Sequence, residues 1–439
     1  MLAKQKGRWQ MRIVQILGLL AILIFGGIAL ADWPVFQGDV ARTGQGGKRP
    51  AIKKPAIIWK ANIGIQGYLN NPILVDGRVY VGSSGKKHNR TDAKDGVYCL
   101  DAATGRVMWH VRTDKDACGV AWADGRVFAT SDDGALRCLD AKSGKLLWKM
   151  QRKGELYCQP LVIKGLVLIG DASGTIVGAD QKTGAIIWQK KFADTNVRGG
   201  LSSDGKRIVA VFVTGKVVCF DIKGKELWRS EVFPQGEKSW TAYPAPTITD
   251  RRVVLGYARG TSYDTPALWA LDMKSGKRIW GDAGRWDKRR PGPTYANIRS
   301  SVTVWGKVLL YGTAYGNSLV AVDSATGKES WRVDVGVPMF PHWSSAAVAG
   351  ETLYLPRHDG GLYAIDLKKR ELKWRIYLGQ ASKDGIFPPT KKLLGPDSYG
   401  CEWEPAVGKP IYASPALTDK GRILIGTGEG FLFCIGEKD

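Results

Sequence analysis

From residue 55 onward the chain is built of short apolar segments separated by polar turns that carry glycine. One phrase recurs: an apolar strand, an Asp, a glycine turn, then an apolar pair ending in Trp. It reads Cys99-Leu-Asp-Ala-Ala-Thr-Gly-Arg-Val-Met-Trp109 and Cys138-Leu-Asp-Ala-Lys-Ser-Gly-Lys-Leu-Leu-Trp148. Further copies end at Trp188, Trp228, Trp280, Trp331 and Trp374, with Trp-to-Trp spacings of 39, 40, 40, 52, 51 and 43 residues. A period near forty residues is the mark of a repeat architecture. About twenty residues upstream of each copy sits a second hairpin signal, such as Val75-Asp-Gly-Arg-Val-Tyr80 or Ala123-Asp-Gly-Arg-Val-Phe128, with Asp-Gly between apolar strands. Each unit is therefore four antiparallel strands, A to D, which describes a propeller blade. The Trp near the start of strand D would wedge between blades, and the Asp before the C–D turn would accept from turn N–H groups.

The count closes on itself. Ile411 to Gly436 supplies strands A, B and C of one more blade but no Trp, while Pro55-Ala-Ile-Ile-Trp59-Lys near the N-terminus supplies the missing fourth strand. Stitching the two ends together removes the open edges. The expected fold is all-β: one eight-bladed propeller over residues 32–439, fastened by Trp59, Trp109, Trp148, Trp188, Trp228, Trp280, Trp331 and Trp374.

Charge adds a question that the fold does not answer. There are 64 Lys and Arg against 41 Asp and Glu, a net +23. Lys4, Lys6, Arg8 and Arg12 precede an apolar run from Ile13 to Leu30, closed by Ala29-Leu30-Ala31. That pattern predicts export, with residues 1–31 acting as a signal peptide or as an uncleaved membrane anchor. Taking away its four cations and no anion leaves +19, and export argues against nucleic acid as the partner. An acidic or membrane-associated protein, or an anionic lipid surface, fits the charge better. His88, His110, His342 and His358 show no metal spacing and no C-x-x-C occurs, so no metal site is expected.

The Ala/Cys-x-Asp-x-x-Thr/Ser-Gly-x-x-x-Trp phrase resembles the tryptophan-docking repeat of the pyrroloquinoline-quinone (PQQ)-type β-propeller family, in its BamB-like exported branch. Asp32-Trp-Pro-Val-Phe-Gln-Gly-Asp39-Val-Ala-Arg-Thr-Gly44 is similar to the opening of many exported members. The resemblance implies one of two functions. Quinoprotein dehydrogenases of the family hold PQQ and calcium; other members are non-catalytic scaffolds of envelope complexes. The dehydrogenases carry two adjacent Cys beneath the quinone, and no Cys-Cys pair occurs here. Nor do any residues match their calcium ligands by motif. The expectation is a scaffold without a cofactor, with a PQQ- and calcium-dependent dehydrogenase as the alternative.

Aligning the A–B turns places one residue per blade at the start of each inner strand: Asn70, Cys118, Cys158, Arg198, Pro244, Arg299, Trp343 and Ala413. Arg198, Arg299 and Trp343 are the residues that would hold an anionic planar cofactor under the dehydrogenase alternative. Cys118 and Cys158, on adjacent inner strands, are candidates for a cross-blade disulfide, and Cys401 for a reactive loop thiol. Cys99, Cys138, Cys219 and Cys434 share one position in strand C and are expected to be small core residues. The A–B and C–D turns should emerge on one basic face, carrying Arg78, Arg106, Arg126, Lys145, Arg252, Lys277, Lys328 and Arg422. The opposite face should carry the long insertions. There Trp286, Arg289, Arg290, Glu402, Trp403 and Glu404 are the candidate partner-binding residues.

Overall fold

The computed structural model describes residues 33–438, apart from 68, 194, 233–239, 242–244, 257, 260–267, 284–297, 313–317, 336–343, 358 and 379–410. Eight four-stranded antiparallel sheets follow one another. Blade 1 is Ile73–Val75, Arg78–Ser84, Asp95–Asp101 and Val107–Arg112, the strands A to D in order. Blades 2 to 7 repeat the same meander, and a short ladder of Trp240–Thr241 with Ala258–Arg259 accompanies blade 5. Blade 8 takes Ala416–Leu417, Ile423–Gly426 and Phe431–Glu437 from the C-terminal end and Pro55–Asn62 as its outer strand. Trp59 stands opposite Cys434 and Asn62 opposite Phe431. The stitched closure is thus as the repeat count requires.

The turns follow from local chemistry. Asp76 and Gly77 (φ 49° and 70°), and Asp124 and Gly125 (47° and 70°), both take two consecutive left-handed residues, the backbone that a tight antiparallel hairpin needs. In the C–D turns the Asp behaves as expected. Asp101 Oδ1 accepts from the N–H of Ala103 (3.1 Å) and Thr104 (2.8 Å) and from the Thr104 hydroxyl (2.7 Å). These bonds favour the charged form and hold Asp101 below its ordinary range; the same shift holds for Asp140, Asp272 and Asp323.

The Trp position obeys a rule that the repeat only hints at. Between strands C and D a bulge falls at the same place in every blade. Trp109 pairs with Cys99 while Val107 pairs with Leu100, so Met108 is left over. The partners of the eight Trp are Cys434, Cys99, Cys138, Gly178, Cys219, Ala270, Ala321 and Ala364. All are small because the indole lies flat over them: a Cβ on Gly178 would stand 2.5 Å from Trp188 Cε2. That is why four of the cysteines recur at one position.

Each indole then reaches the next blade. A Cβ on Gly144, in the C–D turn of blade 2, would come within 2.8 Å of the Trp109 ring. The Trp109 N–H donates to the Ala141 carbonyl (3.2 Å), and Trp188 to Ile222 (3.2 Å). Seven of the eight Trp make this bond; Trp374 makes it to Ile52. At Trp331 the facing turn has Arg370 (φ 61°) where the others have Gly, and its guanidinium covers the ring at 5.7 Å. Where blade 8 has no covalent C–D turn, Glu437 replaces the turn Asp by accepting from the N–H of Lys53 (2.6 Å) and Lys54 (2.8 Å).

Candidate functional site: a channel closed at one end

The two faces of the disc sort as the strand directions dictate. The A–B and C–D turns of a blade lie side by side, the Ala102 N–H donating to Gly77 and Ala141 to Gly125. B–C turns and D–A connections pair on the opposite face, as in Phe192 to Gly174 and Ala172 to Glu155.

The inner strands surround a channel, and its end on the A–B turn face is filled by residues 33–47. This segment visits the blades in order. Trp33 exchanges two backbone bonds with Leu74 of blade 1, and Pro34 accepts from Trp122 of blade 2. Val40, Ala41, Thr43 and Gly44 then accept from Ser203, Ile248, Val304 and Val348 of blades 4 to 7. Arg42, fully buried, completes the circuit. Its Nε donates to Leu201 (3.2 Å), Nη1 to Phe36 (2.9 Å) and Nη2 to Pro160 (3.3 Å) of blade 3. Burial lowers its pKa to about 10, against the opposing charge of Asp39. Three carbonyls in a fork suit a guanidinium and not an ammonium. No repeat marks this segment, so the channel plug was invisible to a search based on periodicity. The Trp33 to Gly44 stretch was visible only as a familiar opening.

Further in, hydroxyls stitch neighbouring inner strands together. Asn71 Oδ1 accepts from the Ser414 N–H (2.6 Å), Ser414 Oγ from Ser345 (2.9 Å), and Ser345 Oγ from Ser301 (2.9 Å). The Ser301 hydroxyl donates to Ala245 (2.8 Å).

At the opposite mouth, Arg198 is half-buried and lies 5.0 Å from the Tyr157 ring centroid, and the Tyr157 hydroxyl donates to Glu155. Burial, then the Glu155 bond, push the Tyr157 phenol up. Arg299 is also half-buried. Two further members of the ring, Trp343 and Pro244, lie outside the described residues. Cys118 and Cys158 are buried free thiols, so the disulfide considered from the sequence does not form. Each sulfur is engaged in its own blade: Cys118 donates to Asp132 Oδ1 (2.9 Å) and Cys158 to the Gly170 carbonyl (3.1 Å). Equivalence on adjacent strands therefore did not bring the sulfurs together.

Asp132 belongs to an acidic corner at this mouth. Asp116 accepts from the Asn89 N–H (3.3 Å) and faces His88 Nδ1 (3.2 Å). Burial raises Asp132 to about 6, with the Cys118 thiol opposing and Asp116 and Glu155 adding to the rise. Beside it a cleft of about 590 Å³ opens between blades 2 and 3, lined in part by Asp114, Asp132, Asp133, Glu155, Lys115 and Lys153. Among the described residues no three His, Cys, Asp or Glu side chains are placed to hold a metal ion.

The turn face carries the predicted cations. Arg106, Arg422, Lys145, Lys277 and Lys328 sit in or beside turns, as do Arg78, Arg126 and Arg252. Carboxylates from the same turns temper the face: Arg252 lies 3.9 Å from Asp250, Arg207 2.7 Å from Asp204, and Lys369 3.6 Å from Glu371. The candidate partner-binding residues Trp286, Arg289, Arg290, Glu402, Trp403 and Glu404, together with Cys401, lie outside the described residues.

A family model described as "Outer membrane protein assembly factor BamB", of the PQQ_2 type, matches residues 51–198, 172–304 and 270–398. The chain belongs to this family. It is 27% identical over 332 residues to the outer membrane protein assembly factor BamB of Burkholderia pseudomallei strain K96243, covering 70% of this chain and 78% of that one. The BamB structure from Moraxella catarrhalis aligns with a TM-score of 0.64 at 14% identity, over 87% of this chain and 99% of that one. A europium-containing methanol dehydrogenase aligns with a TM-score of 0.70, also at 14% identity, over 93% and 98%. Both structural likenesses establish the propeller, and neither separates scaffold from enzyme. The BamB family match spans all eight docking Trp and leaves out only strands A to C of blade 8.

Proposed function

We propose that this protein is an exported, non-catalytic propeller that serves as a docking subunit in an outer-membrane assembly complex. The observation that carries the proposal is the family match across residues 51–398 on a propeller closed by its own two ends. With one channel end filled by residues 33–47, the face bearing the B–C and D–A connections is left to receive partners. In the sequence the candidate residues Trp286, Arg289, Arg290, Glu402, Trp403 and Glu404 fall in the long segments between strand D of one blade and strand A of the next. Aromatic and Arg side chains on a rigid frame are the groups that dominate protein interfaces. The basic face would speed the approach of an acidic, membrane-associated partner, more strongly at low salt.

The test is crosslinking of the full chain in envelope membranes, followed by identification of the crosslinked proteins. Outer-membrane assembly proteins should be captured, and capture should fall at least about tenfold for Trp286→Ala combined with Trp403→Ala, as expected of two hot-spot residues. Capture that is indifferent to the double variant would sink the assignment of this face. Stoichiometric binding of PQQ with calcium, accompanied by reduction of an electron-accepting dye with an alcohol, would replace the scaffold with the dehydrogenase.

A further inference from the structure

The bulge ahead of each Trp has an effect at the rim. In a regular strand successive side chains alternate between faces, but the unpaired bulge residue breaks the alternation. Both residues before the Trp then face solvent. In blades 8, 1, 2 and 3 these pairs are Ile57 and Ile58, Val107 and Met108, Leu146 and Leu147, and Ile186 and Ile187. All eight side chains are exposed, from 36% at Ile57 to 57% at Ile187. The corresponding pairs in blades 4 to 7 are Glu226–Leu227, Arg278–Ile279, Glu329–Ser330 and Leu372–Lys373. There each pair has a charged residue beside at most one exposed aliphatic, Leu227, Ile279 or Leu372, and two of the charges are paired, Glu226 with Arg229 at 2.8 Å and Glu329 with Arg332.

Half of the circumference therefore carries a continuous arc of aliphatic pairs. The arc lies at the edge of the turn face, because each pair follows its C–D turn directly. Exposed Lys53, Lys54, Arg106, Lys142, Lys145 and Lys182 flank it. Trp33 also lies in this sector, bonded to Leu74 of blade 1 on the turn face. Leu30, the last residue of the apolar run, is three residues away, a reach of about 10 Å.

We infer that the turn face lies against a bilayer with anionic headgroups, tilted so that blades 8, 1, 2 and 3 press their aliphatic pairs into the interface. Aliphatic side chains with cations beside them are what an interfacial surface requires, the first entering the acyl boundary and the second meeting the headgroups. The opposite half offers no such run, because each of its pairs in blades 4 to 7 includes a charged residue. The apolar run of residues 13–30 would hold the disc close enough for a weak contact to persist. The inference leaves the opposite face free, and so rests on the proposed docking function only for the envelope location.

The experiment uses the full chain carrying Cys401→Ser, so that a polarity-sensitive fluorophore can be placed by Ile187→Cys; the six described cysteines are buried. Leu147→Cys serves as a second probe of the arc and Ser330→Cys as the control in blade 6. Each is reconstituted in nanodiscs of phosphatidylglycerol with phosphatidylcholine, or of phosphatidylcholine alone. With the anionic lipid, emission at 187 and 147 should shift to the blue and be quenched by lipid-borne spin label, while 330 stays solvent-like. Solvent-like emission at both arc positions, or equal shifts at all three, would overturn the inference. So would a shift that appears only on adding envelope proteins, which would make the arc a protein interface. No partner protein is needed for the result, so a failure here leaves the crosslinking test of the docking function intact.

Discussion

Replacing Asp132 by Asn should stabilise the protein at neutral pH and leave it unchanged in acid. The carboxyl is held near a pKa of about 6 by burial, against an ordinary value of 3.8. The folded state therefore binds this proton more tightly than the unfolded chain does. Stability associated with Asp132 is fully present below about pH 3.8 and declines as the pH rises through about 6. A shift of roughly two units is worth about 3 kcal/mol, and solvent at the half-buried mouth reduces this to about 2 kcal/mol. Asn keeps the shape and keeps an oxygen to accept from the Cys118 thiol, which lies 2.9 Å from Oδ1, but it has no charge to desolvate. Urea titrations of both proteins from pH 3.5 to 8 provide the measurement. The variant should be about 2 kcal/mol more stable at pH 7.5, and the gap should close towards pH 4. A constant gap at every pH, or a variant less stable at pH 7.5, would show that the charge on Asp132 is not strained.

Other outcomes follow from the fastenings. Gly178→Ala puts a Cβ 2.5 Å from the Trp188 ring and should cost about 1–3 kcal/mol as overpacking, seen as a lower thermal midpoint. Arg42→Met should cost about 3 kcal/mol by orphaning the carbonyls of Leu201, Phe36 and Pro160; hydrogen exchange should speed up across residues 33–47, and unchanged protection would refute the plug. Glu437→Gln removes the charged acceptor of the Lys53 and Lys54 N–H groups. Exchange in Pro55–Asn62 should quicken while blades 3 to 5 stay protected. Intact mass measured with and without reductant, after thiol alkylation under denaturing conditions, should show Cys118 and Cys158 alkylated in both cases.

Much of the fold is written in local chemistry, which explains what could be read from the chain. Asp-Gly hairpins, the Asp-capped C–D turn and the Trp phrase each specify their own backbone within ten residues, and repetition multiplies the signal. The joining of Pro55–Asn62 to Phe431–Glu437 was legible because one strand was missing at each end. Residues 33–47 were not, since their backbone bonds to six blades leave no side-chain pattern, and only Arg42 reaches blade 3 through its side chain. The cysteines divide in the same way. Cys99 and its equivalents were placed by the repeat, whereas the supposed Cys118–Cys158 pairing depended on side-chain direction, which sequence spacing does not carry. A basic face was expected from counting cations, yet the turns that favour Lys and Arg also favour Asp, and pairs such as Arg207 with Asp204 reduce the field there. The turn alignment singles out Arg198, but its stacking on Tyr157 at 5.0 Å depends on side-chain direction, which the alignment does not carry.

Closing the ring with its two ends also sets an order of events during synthesis. Trp59 leaves the ribosome long before Cys434, its cross-strand partner. For most of translation the strand Pro55–Asn62 has no neighbour, and Ile52 has no Trp374 to receive. Bringing ends roughly 375 residues apart together carries a loop-closure cost of about 5 kcal/mol if the intervening chain is still unfolded. Blades that have already stacked would shrink that distance, so the ring should form blade by blade and lock in one last step. Until then an unpaired apolar strand waits at the front of the nascent chain, and a holding chaperone would have its binding site there.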